Sequence, residues 1–484
     1  MQNTSTKSKV IISLFWKMME RGGTQGIQFI VQIVLARLLT PNDFGVLSLI
    51  AIFITISNVF VQSGFNTSLI QKKNTDEVDF SSVFYISLFV TIILYIMLFL
   101  TAPLIADFYG IPEIIDIIRV LGITLFLGCF NSIQSAVISK KMQFKKLFFS
   151  SISAVSVSGI IGIILAYNGF GVWALVAQQL TSNFIMVLVL GYTVRWKPKL
   201  VFSLKRVRSL FAFGWKLLVA ILIDTLYMNL RSLIIGKIFN PTILGFYNRG
   251  DQFPQIIVSN INGSIQSVML PVLSEEQDDK QRVKNMVRRS IVTSSFIVFP
   301  LMVGLAVVAE SLVKIVLTDK WLPCVPFLRI FCFSYALWPI HTANMQAINA
   351  LGRSEIILKI ELIKKTIGLA ILVISLRYGV YAIAIGTLIS GVISSFINSF
   401  PNKKLLNYSI SEQCKDIIPL LILSLLMGSV IYSLNWLNMP VYLTLISQVF
   451  TGCIIYIYIA KIIKLECYTY LITAFTGMLS NKKR

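Results

Sequence analysis

Histidine occurs once in the 484 residues, at His341, and the residue four positions on is Met345, so no HxxxD acyl-transfer pattern exists. The six cysteines (Cys129, Cys324, Cys332, Cys414, Cys453 and Cys467) form no CxxC pair and mostly stand in apolar runs. They read as small buried apolar residues, not as disulfides or metal ligands. No GxxxxGK[ST] phosphate loop is present, which removes ATP as a direct energy source. The loops between apolar runs are short, mostly under about 20 residues, and leave no room for an aqueous catalytic domain. Neither an enzyme nor a resident metal or organic cofactor is expected. His341, with Asn344 nearby, reads as a hydrogen-bonded polar contact.

Hydrophobic residues fill the space these absences leave. They make up 56% of the chain, charged residues only 13%, and the mean hydropathy is +0.79. The class is therefore an all-α, polytopic membrane protein. Fourteen apolar segments of spanning length run from 13–38 to 440–463. Lys7 and Lys9 precede an apolar run that Lys17 soon interrupts, and no small-residue cleavage site follows, so the first helix is expected to be retained. The formal charge of +22 invites a nucleic-acid reading, but the placement of the basic residues opposes it. With the N-terminus inside and the loops taken alternately, 32 Lys and Arg fall inside and 8 outside. The other three, Lys17, Arg21 and Arg231, lie within helices. That bias follows the positive-inside rule and places both termini in the cytoplasm.

The stretch from Trp16 to Gly45 organises the rest. At about 100° per residue, Lys17, Arg21, Gln25, Gln28 and Gln32 fall within roughly 80° of arc. Phe29, Ile30, Ile33 and Val34 cover the opposite side. Unpaired polar groups are costly in hydrocarbon, so the stripe is expected to face other helices or a water-filled cavity. Thr40-Pro41-Asn42-Asp43 then predicts a helix start, with Thr as N-cap, Pro at the first position and an acid at the third. A second stripe, Asn248, Gln252, Gln255, Ser259, Asn262 and Gln266, shares one face of the eighth segment, with Pro254 expected to kink it. Ser48, Thr55, Gln62 and Asn66 form a thinner version in the second segment. In the seventh, Asp224 and Arg231 stand two turns apart on one face. Interhelical hydrogen bonding is the alternative reading of the neutral stripes. A permanent ion pair is the alternative for the charged residues, including Glu20 with Arg21 or Lys17.

The chain also repeats. Arg37-Leu38-Leu39-Thr40-Pro41 with Phe44-Gly45 recurs as Lys237-Ile238-Phe239-Asn240-Pro241 with Leu244-Gly245. Arg119-Val120 recurs as Arg329-Ile330, and Gly171-Val172-Trp173-Ala174 as Gly379-Val380-Tyr381-Ala382. The expected organisation is an N-terminal lobe over 1–200 (helices 1–6), a C-terminal lobe over 201–410 (helices 7–12), and two helices over 411–484. An even-numbered unit enters the membrane from the same side each time, so the copies should be related by an axis along the membrane normal. Between them, Leu204–Phe211 reads either as a helix lying on the membrane surface or as a solvated basic linker.

The first helix with Glu20-Arg21 and Gln25-Gly26, the turn Ala36–Gly45, Leu69-Ile70-Gln71, Gly171–Leu175 and Leu244–Arg249 together resemble bacterial polysaccharide flippases. These belong to the multidrug/oligosaccharidyl-lipid/polysaccharide exporter superfamily. The resemblance covers essentially the whole chain and is specific to the lipopolysaccharide and teichuronic-acid exporter branch. It implies two six-helix lobes in a V shape around a cavity, plus two further helices. It also implies transfer of a polyprenyl-diphosphate-linked oligosaccharide from the inner to the outer leaflet of the cell inner membrane, for lipopolysaccharide, O-antigen or exopolysaccharide assembly. A polysaccharide polymerase is the implied protein partner. On that reading Lys17, Arg21, Gln25, Gln28, Arg249, Gln252, Gln255 and Asn262 are the candidate cavity contacts, with cations for the diphosphate and amides for sugar hydroxyls. Asp224 and Arg231 are the candidates for coupling to H⁺ or Na⁺. A cation-coupled drug exporter of the same superfamily is the second reading, disfavoured because Lys17 and Arg21 outnumber Glu20 in the first helix. A membrane-embedded glycan ligase or polymerase is the third, disfavoured by the missing large outside loop.

The orientation is directly testable. A single cysteine at Asn168 should react with an impermeant reagent added outside cells, and one at Gln277 should react only after permeabilisation. The reverse pattern would invert the map.

Overall fold

The structure, a computed structural model, describes residues 2–62, 68, 69, 72, 75–437 and 439–481. Asn66, Ile70 and Gln71 lie outside the described residues. Every regular element among the described residues is helical: α1 (Gln2–Leu38), α2 (Pro41–Gln62), α3 (Glu77–Tyr109), α4 (Ile114–Lys141), α5 (Phe144–Tyr167), α6 (Val172–Val194), α7 (Leu204–Ile238) and α8 (Pro241–Glu275). Then come α9 (Lys280–Leu317), α10 (Val325–Ala336), α11 (Trp338–Ala350), α12 (Ser354–Ser375), α13 (Val380–Leu406), α14 (Ile410–Ser433), α15 (Val441–Ile462) and α16 (Glu466–Asn481). Two compact units divide the chain, Met1–Gly245 and Phe246–Arg484.

Among the described residues, twelve helical stretches are long and apolar enough to cross a membrane. They coincide with twelve of the fourteen expected segments. The other two segments, 13–38 and 356–376, form α1 and α12, of 37 and 22 residues. Both have the length, but each carries a cluster of charge, Lys17, Glu20 and Arg21 in one and Lys359, Glu361, Lys364 and Lys365 in the other. The tenth segment spans Asp319–Ala350 as a 3₁₀ turn followed by α10 and α11. Its breaks fall at Pro323, Pro326 and Pro339, where the ring removes a donor and crowds the preceding turn.

The predicted start of α2 is present in full. The Asp43 carboxylate accepts from the Thr40 N–H at 2.8 Å and its hydroxyl at 2.7 Å, while the Asp43 N–H donates to Thr40 Oγ1 at 3.3 Å. The repeat-related start of α8 uses Asn240, whose Oδ1 accepts from the Ile243 N–H at 2.8 Å. In the first unit these two starts meet. A Cβ on Gly45 would lie 1.7 Å from the Pro241 carbonyl oxygen, and one on Gly245 would lie 2.1 Å from that of Pro41. The Thr242 hydroxyl reaches Asn42 Oδ1 at 3.4 Å, a third contact between residues 200 apart.

Elsewhere in this unit small residues bring the helices together. α5 buries Ser150, Ala154, Ser158 and Gly162 at four-residue spacing. Val31 of α1 fits against Gly159, where a Cβ would come within 2.5 Å. The stretch read as a surface helix or a free linker is helical and packed, which rules out the free linker. Residues 204–213 open α7 without a break, and Val207 and Leu210 are buried with Val61, Phe84, Cys129 and Ile133. Valine and leucine three residues apart give it an apolar side that packs, while its basic side is held by acids. Arg206 pairs with Asp76 and lies 3.4 Å from the fully buried Asp79, which Lys72 contacts at 2.7 Å. The Arg206 guanidinium holds the Asp76 carboxyl below its ordinary range, helped by the Asp79 N–H. In the second unit α9 is central, packed by α10, α11, α14 and α15.

The Gly45 and Gly245 contacts leave no space for a methyl group against backbone. Gly45→Ala and Gly245→Ala should each destabilise the solubilised protein by about 1–3 kcal/mol, the cost of overpacking. Thermal unfolding in detergent checks this, with Gly22→Ala, where a Cβ meets nothing within 4 Å, as the comparison that should lose no stability.

Candidate functional site

The α1 stripe is set by how that helix packs. Trp16 meets Phe148 and Phe149 of α5, with ring centroids 5.3 and 6.0 Å apart. Gly23, Val31 and Leu35 continue the same packed face toward α5 and its neighbours. The charged and amide residues lie along the flank of that face. Lys17 donates to Glu20 at 2.7 Å, the pairing weighed above as an alternative. Ser151 of α5 donates to the other Glu20 oxygen at 3.4 Å, so the acid is consumed locally. Arg21 is exposed, Gln25 half-buried and Gln28 exposed. Among the described residues Arg21 has no ion pair, and Gln25 and Gln28 have no side-chain hydrogen bond to protein. Ile30, on the opposite side, is 63% exposed.

The α8 stripe divides in two. Arg249 is only 5% exposed. It donates to Gln252 Oε1 at 2.7 Å and lies over the Trp321 ring at 5.0 Å, inside the packing of the second unit. Further along, Gln255 and Gln266 are exposed, and Asn262 is buried with its Oδ1 unpartnered among the described residues. The structure thus brings Arg249 and Gln252 together and leaves Gln255 and Asn262 apart from them. In α7, Asp224 is exposed, while Arg231 is half-buried with its guanidinium 5.7 Å from the Tyr227 ring.

His341 is a polar contact, as expected, within a larger network than its sequence neighbourhood suggests. Its Nδ1 lies 2.9 Å from Asn398 Nδ2 and its Nε2 3.2 Å from Ser395 Oγ. One turn on, Asn344 donates to Gln413 at 3.0 Å and accepts from Asn402 at 2.6 Å, and Ser399 donates to Gln413 at 2.9 Å. These amides join α11, α13 and the start of α14. The available signal was an Asn, Ser and Gln content unusual for apolar segments, but their convergence from three helices has no local sequence pattern. Among the described residues no group of three or more His, Cys, Asp or Glu is placed to hold a metal ion. The chemistry on offer from these side chains is cationic and amide hydrogen bonding.

Comparison with known proteins follows the same line. The chain is 22% identical over 357 residues to the succinoglycan biosynthesis transport protein ExoT of Rhizobium meliloti, covering 74% of this chain and 72% of that protein. It is 23% identical over 399 residues to the lipopolysaccharide biosynthesis protein WzxC of Escherichia coli, covering 82% and 81%. Among solved structures it shares the fold of the lipid II flippase MurJ in an inward closed conformation. That match has a TM-score of 0.77 at 16% identity, over 95% of this chain and 100% of that one. Residues 34–326, more than half of the chain, match the family described as Polysaccharide biosynthesis protein, and the chain belongs to that family.

Proposed function

We propose that this protein is a flippase that carries a polyprenyl-diphosphate-linked oligosaccharide across the bacterial cytoplasmic membrane for assembly of a surface polysaccharide. The observation that carries the reading is the flank of α1. Arg21, Gln25 and Gln28 project from a helix of spanning length without protein partners among the described residues, although such groups are expensive in hydrocarbon. A guanidinium suits a diphosphate and carboxamides suit sugar hydroxyls. Relatives named for succinoglycan transport and lipopolysaccharide biosynthesis support the same substrate class. On this reading α1 and α12 also span, giving fourteen crossings with both termini cytoplasmic, a count supported by their lengths and by the distribution of basic residues. Gln255 and Asn262 of α8 are further candidates for contact with sugar hydroxyls, whereas Arg249 and Gln252 are engaged with each other within the second unit, and a polysaccharide polymerase is the partner that would take up the product.

Loss of a desolvated charge contact typically costs about 2–5 kcal/mol, more than tenfold in affinity. Arg21→Ala should therefore abolish transport of lipid-linked oligosaccharide in reconstituted vesicles while inserting at normal levels. A fully active Arg21→Ala protein would remove the substrate role.

Coupling rests on Asp224, an exposed acid in the spanning part of α7 two turns from Arg231. Exchange of a cation at this carboxylate would let a proton or sodium gradient drive the cycle. Imposed gradients should accelerate wild-type transport, and Asp224→Asn should insert normally but lose that response. An equal response in both proteins would place the coupling elsewhere.

A further inference from the structure

The second unit holds a cavity of about 700 Å³ where α9 meets the turn between α15 and α16. α15 ends at Ile462, Lys464 takes the left-handed conformation (φ 53°), and α16 departs at Glu466. The described part of α16 has 16 residues, about 24 Å of helix against a hydrocarbon core of about 30 Å. From α9, Asn285, Arg289 and Thr293 line the cavity at four-residue spacing, an amide, a guanidinium and a hydroxyl stacked on one face. Lys464 and Thr469 close it from the other side.

The charge in this cavity is unevenly committed. Arg288 is consumed by carboxylates, at 2.9 Å from Asp416 and 3.9 Å from Glu466. Arg289 has no carboxylate within ion-pair distance among the described residues, and its guanidinium lies 4.7 Å from the Tyr470 ring, which fixes the plane and leaves the N–H edge available. Lys464 has no ion pair among the described residues. Thr293 Oγ1, one turn below Arg289, is buried without a hydrogen-bond partner among the described residues, which normally costs about 1–3 kcal/mol. Arg289, Lys464, the Asn285 amide and the unanswered Thr293 hydroxyl make the cavity rich in donors, with Glu466, turned toward Arg288, as the carboxylate in its lining. The same end of α9 carries Lys280, Arg282 and Lys284 and belongs to the side that the basic-residue count makes cytoplasmic, where the membrane surface is anionic.

We propose that this cavity binds a phosphate group, with Arg289 and Lys464 on its charged oxygens and Thr293 donating to one of them, and that an anionic phospholipid headgroup at the cytoplasmic surface supplies it. Free inorganic phosphate presents the same oxygens and is the other source of that chemistry. The site lies within the second unit, uses none of the α1 residues, and stands or falls independently of the transport reading.

The test uses the full-length protein, delipidated in neutral detergent and titrated with phosphatidylglycerol, phosphatidylcholine or inorganic phosphate. Thermal midpoint and native mass spectrometry are the readouts. Phosphatidylglycerol should raise the midpoint and be retained, phosphatidylcholine should not, and Arg289→Gln with Lys464→Gln should weaken retention by about tenfold or more. Thr293→Val, nearly isosteric, guards against misfolding. It should leave the ligand-free midpoint unchanged or higher, because the unanswered hydroxyl is gone, while weakening phosphatidylglycerol retention by about 3- to 10-fold. An inorganic phosphate response that depends on Arg289 and Lys464, with none from the lipid, would support the phosphate site and make free phosphate its source. Equal retention of phosphatidylglycerol and phosphatidylcholine with no response to phosphate, or retention unchanged in both the double variant and Thr293→Val, would overturn the site.

Discussion

A donor or acceptor carried into hydrocarbon has to be answered by something, and most of this protein can be understood by asking what answers each one. Asp79 is fully buried and is answered by Lys72 and Arg206. Asn344, Asn402 and Gln413 answer one another across three helices. Glu20 is answered twice, by Lys17 and by Ser151. Arg21, Gln25 and Gln28 differ from these in forming one run along a helix flank to which the protein supplies no ion pair or side-chain hydrogen bond within its described residues. On the proposed reading this is the surface that a ligand would complete, and a transporter must leave such a surface unfinished to release what it carries.

The same constraint operates on the backbone. Helices can exchange close contacts only where side chains are small, and the sequence places glycine and serine at those points. Gly45 and Gly245 let two helix starts touch backbone to backbone, while Gly159 and Gly162 of α5 take in the side chains of Val31 and Gln178. Leucine at any of these points would hold the helices apart.

Much of this was legible in the residues. The Thr40–Asp43 cap could be read because capping is local: four residues contain both partners. The recurrence of Pro41 and Gly45 at Pro241 and Gly245 was legible as a repeat, but not as a contact, since nothing in a periodicity says that the copies touch. Arg249 shows the opposite failure. Helical spacing put it beside the α8 amide stripe, yet Trp321, more than seventy residues on, takes its guanidinium into the packing. The opening turns of α7 looked like a free basic linker because the acids that hold them, Asp76 and Asp79, stand over 120 residues earlier. α1 and α12 are the instructive middle case: their length reads as spanning, their charge reads as surface, and composition alone cannot weigh one against the other.

α7 opens the second copy of the repeat, yet it packs within the first compact unit, which closes only at Gly245. A ribosome making this chain therefore finishes the first six helices well before their core is complete. Until α7 emerges, Val61, Phe84 and Ile133 lack Val207 and Leu210, and Asp79 lacks Arg206. During that interval Asp79 has Lys72 as its ionic partner without Arg206, and the apolar seam that Val207 and Leu210 close stays open. Insertion of the seventh helix is thus the step that commits the first half to its fold, and truncations ending at the repeat boundary are the ones that quality-control proteases should see as unfinished.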